Sequence, residues 1–311
     1  MATQLLAIGH RGRSPQISQD QIPNLNAGIL KAQQFGNDWY VNSASTATSN
    51  SGDGATPAAA KTTLAAALAL TSSGDRIYIA PGHAETVSAA AYLTWSQSGV
   101  TVIGLGVGAN RPTFTFSATA SQIIISGSNN ILSNIRVTSS IDEVVLMFSV
   151  TGSNVILDRV DHFETTSCQT IAFVAFTTGT DCAVQNCQHY QATAAAAASL
   201  WITATSNTRF RLSNNVIMLA VKDDATCCVF RFVTCTNILV ERNTVKMTGY
   251  TANLLSVTLA LNTTTGLTCD NRYGADVAAV TTINDLPGCR HLETYCALTV
   301  DKSGILDPVV P

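Results

Sequence analysis

Two groups of residues in this sequence are of the types that catalysis uses. In "GDRIYIAPGHAETV", residues 74–87, a strand-like run from Arg76 to Ala80 breaks on Pro81-Gly82, and His83 and Glu85 follow at once. An imidazole and a carboxylate just past a strand end could form a proton-transfer pair. The second group is "NVILDRVDHFE", residues 154–164, where Asp158, Asp161, His162 and Glu164 crowd together. His189 stands 27 residues beyond His162, so a repeat of that length would stack the two imidazoles. Clustered carboxylates on one face, often with a basic residue or Ca²⁺, would suit the cleavage of a polysaccharide.

Other chemistries find little footing. "GLGVG", residues 104–108, follows a strand but opens no helix, so it is not read as a dinucleotide site. Asp223-Asp224 sits in "VKDDAT", which reads as a solvated loop. The nine cysteines lie between Cys168 and Cys296 without a CxxC pair, which argues against zinc. Cys182, Cys187 and Cys269 fall on strand-like positions, and the expectation is reduced, buried thiols. A Cys289–Cys296 disulfide is the alternative, and the odd count leaves one thiol over. No catalytic, cofactor or metal residues are assigned.

The bulk numbers agree. The 311 residues are only 12% charged and 6% aromatic, with a net charge of −3. No basic field recruits nucleic acid, and no apolar run approaches the roughly 20 residues of a membrane helix. "MATQLLAIGHRGRSPQ" lacks the apolar core of a secretory signal, so folding in a cytoplasm is expected.

What must position these residues is a repeat. A pattern of alternating apolar positions ending in Asn or Arg recurs as "NILSNIRV", "VILDRVDH", "CAVQNCQH", "FRLSNNVI", "ILVERNTV" and "LTCDNRYG", with a weaker first copy in "VTVIGLGV". The centres are Val102, Leu132, Leu157, Val184, Leu212, Val240 and Cys269, at steps of 30, 25, 27, 28, 28 and 29 residues. A second apolar strand precedes each copy across a short Ser/Thr/Gly/Asn corner such as "SGSNN" or "TTGTD". Such a unit cannot bury its own apolar face, but stacking on its neighbours can. The expected fold is all-β: a right-handed parallel β-helix. Its repeating part would be a rod roughly 30 Å long at about 4.8 Å per coil. Asn134, Arg159, Asn186, Asn214, Arg242 and Asn271 are read as one corner column. Asn tolerates the left-handed backbone of a sharp corner, and its amide could bond to the Asn of the next coil.

The ends differ. Residues 55–97 read as an N-terminal capping helix over 57–71, begun by Pro57, and then the first strand at Arg76–Ala80. Beside that cap, His83 and Glu85 are read as a structural corner. The coils then occupy 98–285, and 286–311 forms an irregular C-terminal cover. Residues 1–54 are polar with scattered apolar anchors and no strand register, and read as an extended N-terminal assembly arm. The alternative is a wrap around its own β-helix. His10, Arg11 and Arg13 of the basic "GHRGR" cluster, with Trp39 and Tyr40, are the candidate partner-binding residues.

The run "GDGATPAAAKTTLAAALALTSSGDRIYIAPGHAETV", followed by "GVTVIGLGVGANRPTFTF", resembles bacteriophage virion proteins of the pectate-lyase-like β-helix type, most clearly over residues 52–116. "NVILDRVDH" is similar to the aspartate–histidine strand of pectate lyases, whereas the paired-aspartate motifs of polygalacturonases are missing. The resemblance implies a homotrimeric virion part assembled in the bacterial host cytoplasm, with a major capsid protein or tail protein as partner. With low charge, few aromatics for sugar binding and a long arm, the expectation is a non-enzymatic capsid decoration or cement protein. The alternative is a tail fibre or tailspike β-helix that binds or cleaves host-surface polysaccharide.

Overall fold

The computed structural model describes residues 36–44, 51–164, 168–191, 200–220, 228–248, 256–261, 263–275, 284–285, 288–293 and 295–298. The chain winds into a right-handed parallel β-helix with three strands per coil. The first sheet begins with Asp38–Val41, Arg76–Ile79 and Thr101–Gly104 and runs down to Cys289–Leu292. The second begins with Ala84–Val87 and Thr113–Phe116 and ends with Tyr295–Leu298. Ile131–Ser139 and Ile156–Phe163 are long enough to turn the corner and serve both sheets. The third sheet has eight strands, from Leu93–Trp95 to Asn284–Asp285. Every strand pairing among the described residues is parallel, as winding in one direction requires.

The repeat is the register of the first sheet. Val102 pairs with Leu132, Leu132 with Leu157, Leu157 with Val184, Val184 with Leu212, and Leu212 with Val240. All are buried, because alternate residues of a strand share a face. The last copy departs by one residue: Val240 pairs with Thr268, and Cys269 pairs with Glu241. Cysteine looks like a core residue, but here the threonine is inside, with its hydroxyl accepting from Asn271 Nδ2 at 2.8 Å.

The same slip corrects the corner column. Asn134, Arg159, Asn186, Asn214, Arg242 and Asp270 have φ between 52° and 58°, so Asp270 and not Asn271 makes the last left-handed corner. The amide stack stands one residue further on. Asn215, Asn243 and Asn271 open the second sheet and point inward. Asn215 Nδ2 donates to Asn243 Oδ1 at 2.9 Å, and Asn243 Nδ2 to Asn271 Oδ1 at 3.0 Å. Each amide also donates to a first-sheet carbonyl of the preceding coil, as Asn243 does to Leu212 at 3.0 Å. A buried amide is stable only when its donors and acceptors are met, and this ladder meets them.

The N-terminal region differs from expectation. A strand from the polar arm, Asp38–Val41, pairs with Arg76–Ile79, so Arg76 begins the second strand of the first sheet and not the first. The described arm residues, 36–44, thus wrap their own coil. The expected helix over 57–71 is two pieces: a 3-10 turn at Pro57–Ala59 and an α-helix at Leu64–Leu68, each with a threonine N-cap, Thr56 and Thr63. Leu64, Ala67 and Leu68 join the core. Coils also continue past residue 285, through Cys289–Leu292 and Tyr295–Leu298. Cys182, Cys187, Cys235 and Cys289 are buried free thiols, so a Cys289–Cys296 bridge does not form.

Replacing Asn243 with Ala leaves the Asn215 backbone N–H without its acceptor and removes the amide donor to Leu212 O and Asn271 Oδ1 inside the rod. The expected loss is about 2–3 kcal/mol in urea unfolding, more than the roughly 1 kcal/mol expected for the corner change Asn214→Ala.

Candidate functional site

The His83–Glu85 pair is a clasp. Ser43 N–H donates to His83 Nδ1 at 2.9 Å, which leaves the proton on Nε2 to bond Glu85 Oε2 at 3.0 Å. Glu85 Oε2 also accepts from Leu64 N–H at 2.9 Å, and Oε1 accepts from Tyr92 Oη at 3.1 Å. Burial, then the neighbouring Glu85 carboxylate, pushes the Tyr92 phenol up to about 12. Both members are buried. The pair therefore ties the arm, the helix start and the first coil together, and no substrate reaches it.

A second carboxylate holds the same strand. Asp75 accepts from Trp39 Nε1 and Ser72 N–H, both at 2.9 Å, and from Asn37 N–H. Burial works to raise its pKa, but these hydrogen bonds together outweigh that and hold it below the usual carboxylate value. Trp39 is thus committed to its own fold. Tyr40 stacks on Tyr78 at 5.8 Å beside an apolar cleft of about 160 Å³. His10, Arg11 and Arg13 lie outside the described residues, as do Asp223 and Asp224.

The crowded acids of 158–164 are dispersed by the corner at Arg159 and by strand alternation. Asp158 leaves the first sheet outward and binds Arg159 and Asn186 at 2.9 and 2.7 Å. Asp161 leaves the second sheet outward and pairs with Arg111, while burial raises its pKa against the pull of Arg111 and Arg136. Glu164 is inside, 2.7 Å from His162 Nε2. His162 and His189 do stack, with ring centroids 4.5 Å apart, but within the core. The positions below them are Ile217 and Val245, as the repeat implies.

What faces solvent at that level is different. Phe163, Tyr190 and Met218 pair in register down the outside of the second sheet, with Val216 beside them. Tyr190 is 41% exposed, and Val216 and Met218 are each 45% exposed. The Arg136 guanidinium covers Phe163 at 4.9 Å, and Lys246 follows Met218. Gln188 and Thr244 supply polar groups alongside Val216. Phe163, Tyr190 and Met218 stand 27 and 28 residues apart, the period of the repeat. A search for outward columns at that period finds them, whereas attention to ionisable types passes them by. This row is the candidate interaction site.

No protein-family model matches this chain, and no curated protein matches it either. Solved structures do. A rhamnogalacturonan lyase is 11% identical with a TM-score of 0.52, the match covering 78% of this chain and 71% of that one. The pectate lyase Pel9A is 14% identical with a TM-score of 0.47, over 87% and 78%. A tailspike protein of E. coli bacteriophage HK620 is 10% identical with a TM-score of 0.37, over 91% and 60%. The chain shares the parallel β-helix fold of the rhamnogalacturonan lyase. At such identity the likeness is one of fold.

Asp75→Ala is expected to cost about 2–3 kcal/mol and to release the strand at 38–41. Limited proteolysis at neutral pH should then cut near residue 44 at least tenfold faster than in wild type, an order-of-magnitude expectation from the lost bonds. Because the folded-state pKa is lowered, the Asp75 contribution is complete above the unfolded value of about 4. It disappears as pH falls below that and through the folded value. Wild type at low pH should therefore approach the variant's cutting rate.

Proposed function

We propose that this protein binds a polysaccharide chain along its second sheet and holds it without cleaving it. The observation that carries the reading is the row of exposed Tyr190 and Met218, with Val216 beside them and half-buried Phe163 under Arg136 at its end, running along the rod axis. Aromatic and thioether surfaces give sugar rings an apolar face, and Gln188 and Thr244 offer hydrogen bonds to hydroxyls. Three strands at about 4.8 Å and three residues at about 3.3 Å give the patch roughly 140 Å². That is well short of the roughly 800 Å² per partner of a stable protein interface. It suits a narrow polymer better. The carboxylates nearest the row support holding over cutting, because Asp161 is paired with Arg111 and Glu164 faces His162 inside the core.

In the bacteriophage setting suggested by residues 52–116, this is the work of a tail fibre or tailspike body. The expected capsid decoration role, with its capsid partner and trimeric assembly, draws no support from these features. The fold shared with a rhamnogalacturonan lyase is compatible with a carbohydrate ligand.

A microarray of bacterial and plant polysaccharides, followed by calorimetry on any that is retained, tests the reading. Tyr190→Ala should weaken binding at least about tenfold, or 1.4 kcal/mol, without loss of folding. Wild type should release no reducing or unsaturated sugar. Retention of no polysaccharide, or full affinity in Tyr190→Ala, overturns the proposal.

A further inference from the structure

A buried acid–base cluster lies directly beneath the exposed row, on the same strands. Phe163 and Tyr190 point out of the second sheet, and His162 and His189, one residue earlier, point in. Around them the column is apolar or aromatic: Phe114 and Val137 above, then Ile217, Val245 and Tyr273 below. An isoleucine at either level would continue that core without the penalty of burying a polar ring.

The cluster has one acid for two bases. Glu164 Oε1 lies 2.7 Å from His162 Nε2, and Thr170 Oγ1 lies 3.4 Å from the same nitrogen. His162 also lies flat on Phe173 at 5.5 Å. His189 meets the His162 ring at 4.5 Å and the Trp201 ring at 6.2 Å. Neither His189 nitrogen has hydrogen-bonding geometry to another described group, although Gln191 lies close enough to favour its proton slightly. From below it meets Ile217, which carries no charge. Asp161, Arg111 and Arg136 belong to the outer surface of the sheet. A proton on His189 would set a charge 4.5 Å from the His162 ring, away from water, while Glu164, the carboxylate of the cluster, stands beside His162 and not His189.

We propose that this cluster is an acid-operated release for the binding face, in which protonation of His189 drives its strand off the core and carries Tyr190 out of the row. The release rests on the second-sheet reading of the binding face. Burial, and then repulsion from His162, holds His189 neutral well below the ordinary imidazole value. In an opened strand the ring takes its proton near the ordinary value of about 6.5. Between those two values the open form binds more protons, so closed-state stability falls as pH falls, by up to about tenfold in the opening equilibrium per pH unit. Above about 6.5 the closed form is unaffected.

Hydrogen exchange on the full chain at pH 7.5 and 5.0, corrected for intrinsic rates, reads the opening without any ligand. Peptides over 156–163 and 183–191 should lose about tenfold or more in protection at the lower pH, while those over 101–104 and 238–248 keep theirs. His189→Ile, which copies the residue of the next coil, should abolish that loss. His189→Gln, polar but not titrating, should do the same and guards against a repacking artefact. Equal protection of wild type at both pH values, or the same loss in both variants, overturns the proposal. The polysaccharide retained at pH 7.5 should bind wild type at least tenfold more weakly at pH 5.0 and bind His189→Ile alike at both. Opening with no polysaccharide retained at pH 7.5 sinks the binding face and leaves the switch. Binding that ignores pH sinks the switch and leaves the face.

Discussion

In-register parallel stacking governs this molecule. Each inward side chain rests on its equivalent one coil away, so a residue type suits its position only if it suits the whole column. Apolar columns such as Val102 to Val240 satisfy this by burial. The amide column of Asn215, Asn243 and Asn271 satisfies it by hydrogen bonding, which works because asparagine both donates and accepts along one line. In the third sheet Phe173 stacks flat on Trp201, its equivalent one coil away, at 5.6 Å, and Phe148 and Phe230 extend that aromatic row from the neighbouring register position at 5.5 and 5.8 Å. A histidine column breaks the rule, since imidazoles stacked at close range cannot all be charged. His162 and His189 are therefore the level at which the core answers to protons.

The fold was legible because its period is written in residues that have no alternative. Alternating apolar positions before a left-handed Asn or Arg corner set the register from Val102 to Val240 without error. The reading failed where residue type misled. Cys269 looks more like core than Thr268, and this single slip displaced the last corner from Asp270 to Asn271. It also hid the amide ladder, whose inward position follows only from knowing which residue ends the turn. The strand at Asp38–Val41 was invisible for another reason. Its neighbours are polar, and what holds it besides sheet pairing is Asp75, which binds Trp39, and His83, which binds Ser43, and no local pattern announces either.

The candidate site was half legible. Stacking of His162 on His189 followed from their 27-residue separation. The surroundings did not, because Asp158, Asp161 and Glu164 lie close in sequence yet face three directions once Arg159 turns the corner. Outward columns needed the opposite emphasis. Phe163, Tyr190 and Met218 are unremarkable one by one and become a surface only when the repeat is folded on itself.

The connections between sheets are unequal. Where the first sheet passes to the second after Ala183–Gln185, and in each later coil, two residues suffice, and the backbone there is pinned in the left-handed region. From the third sheet to the first there are three to five. From the second to the third there are seven or eight in these same later coils. In this part of the rod the longest connections therefore all lie on one longitudinal edge. That edge borders the second sheet, where the apolar row stands, so insertions there would lengthen the walls beside the row while leaving the registered core untouched. New specificity can be added along one seam of this scaffold, coil by coil, without asking the rest of the fold to change.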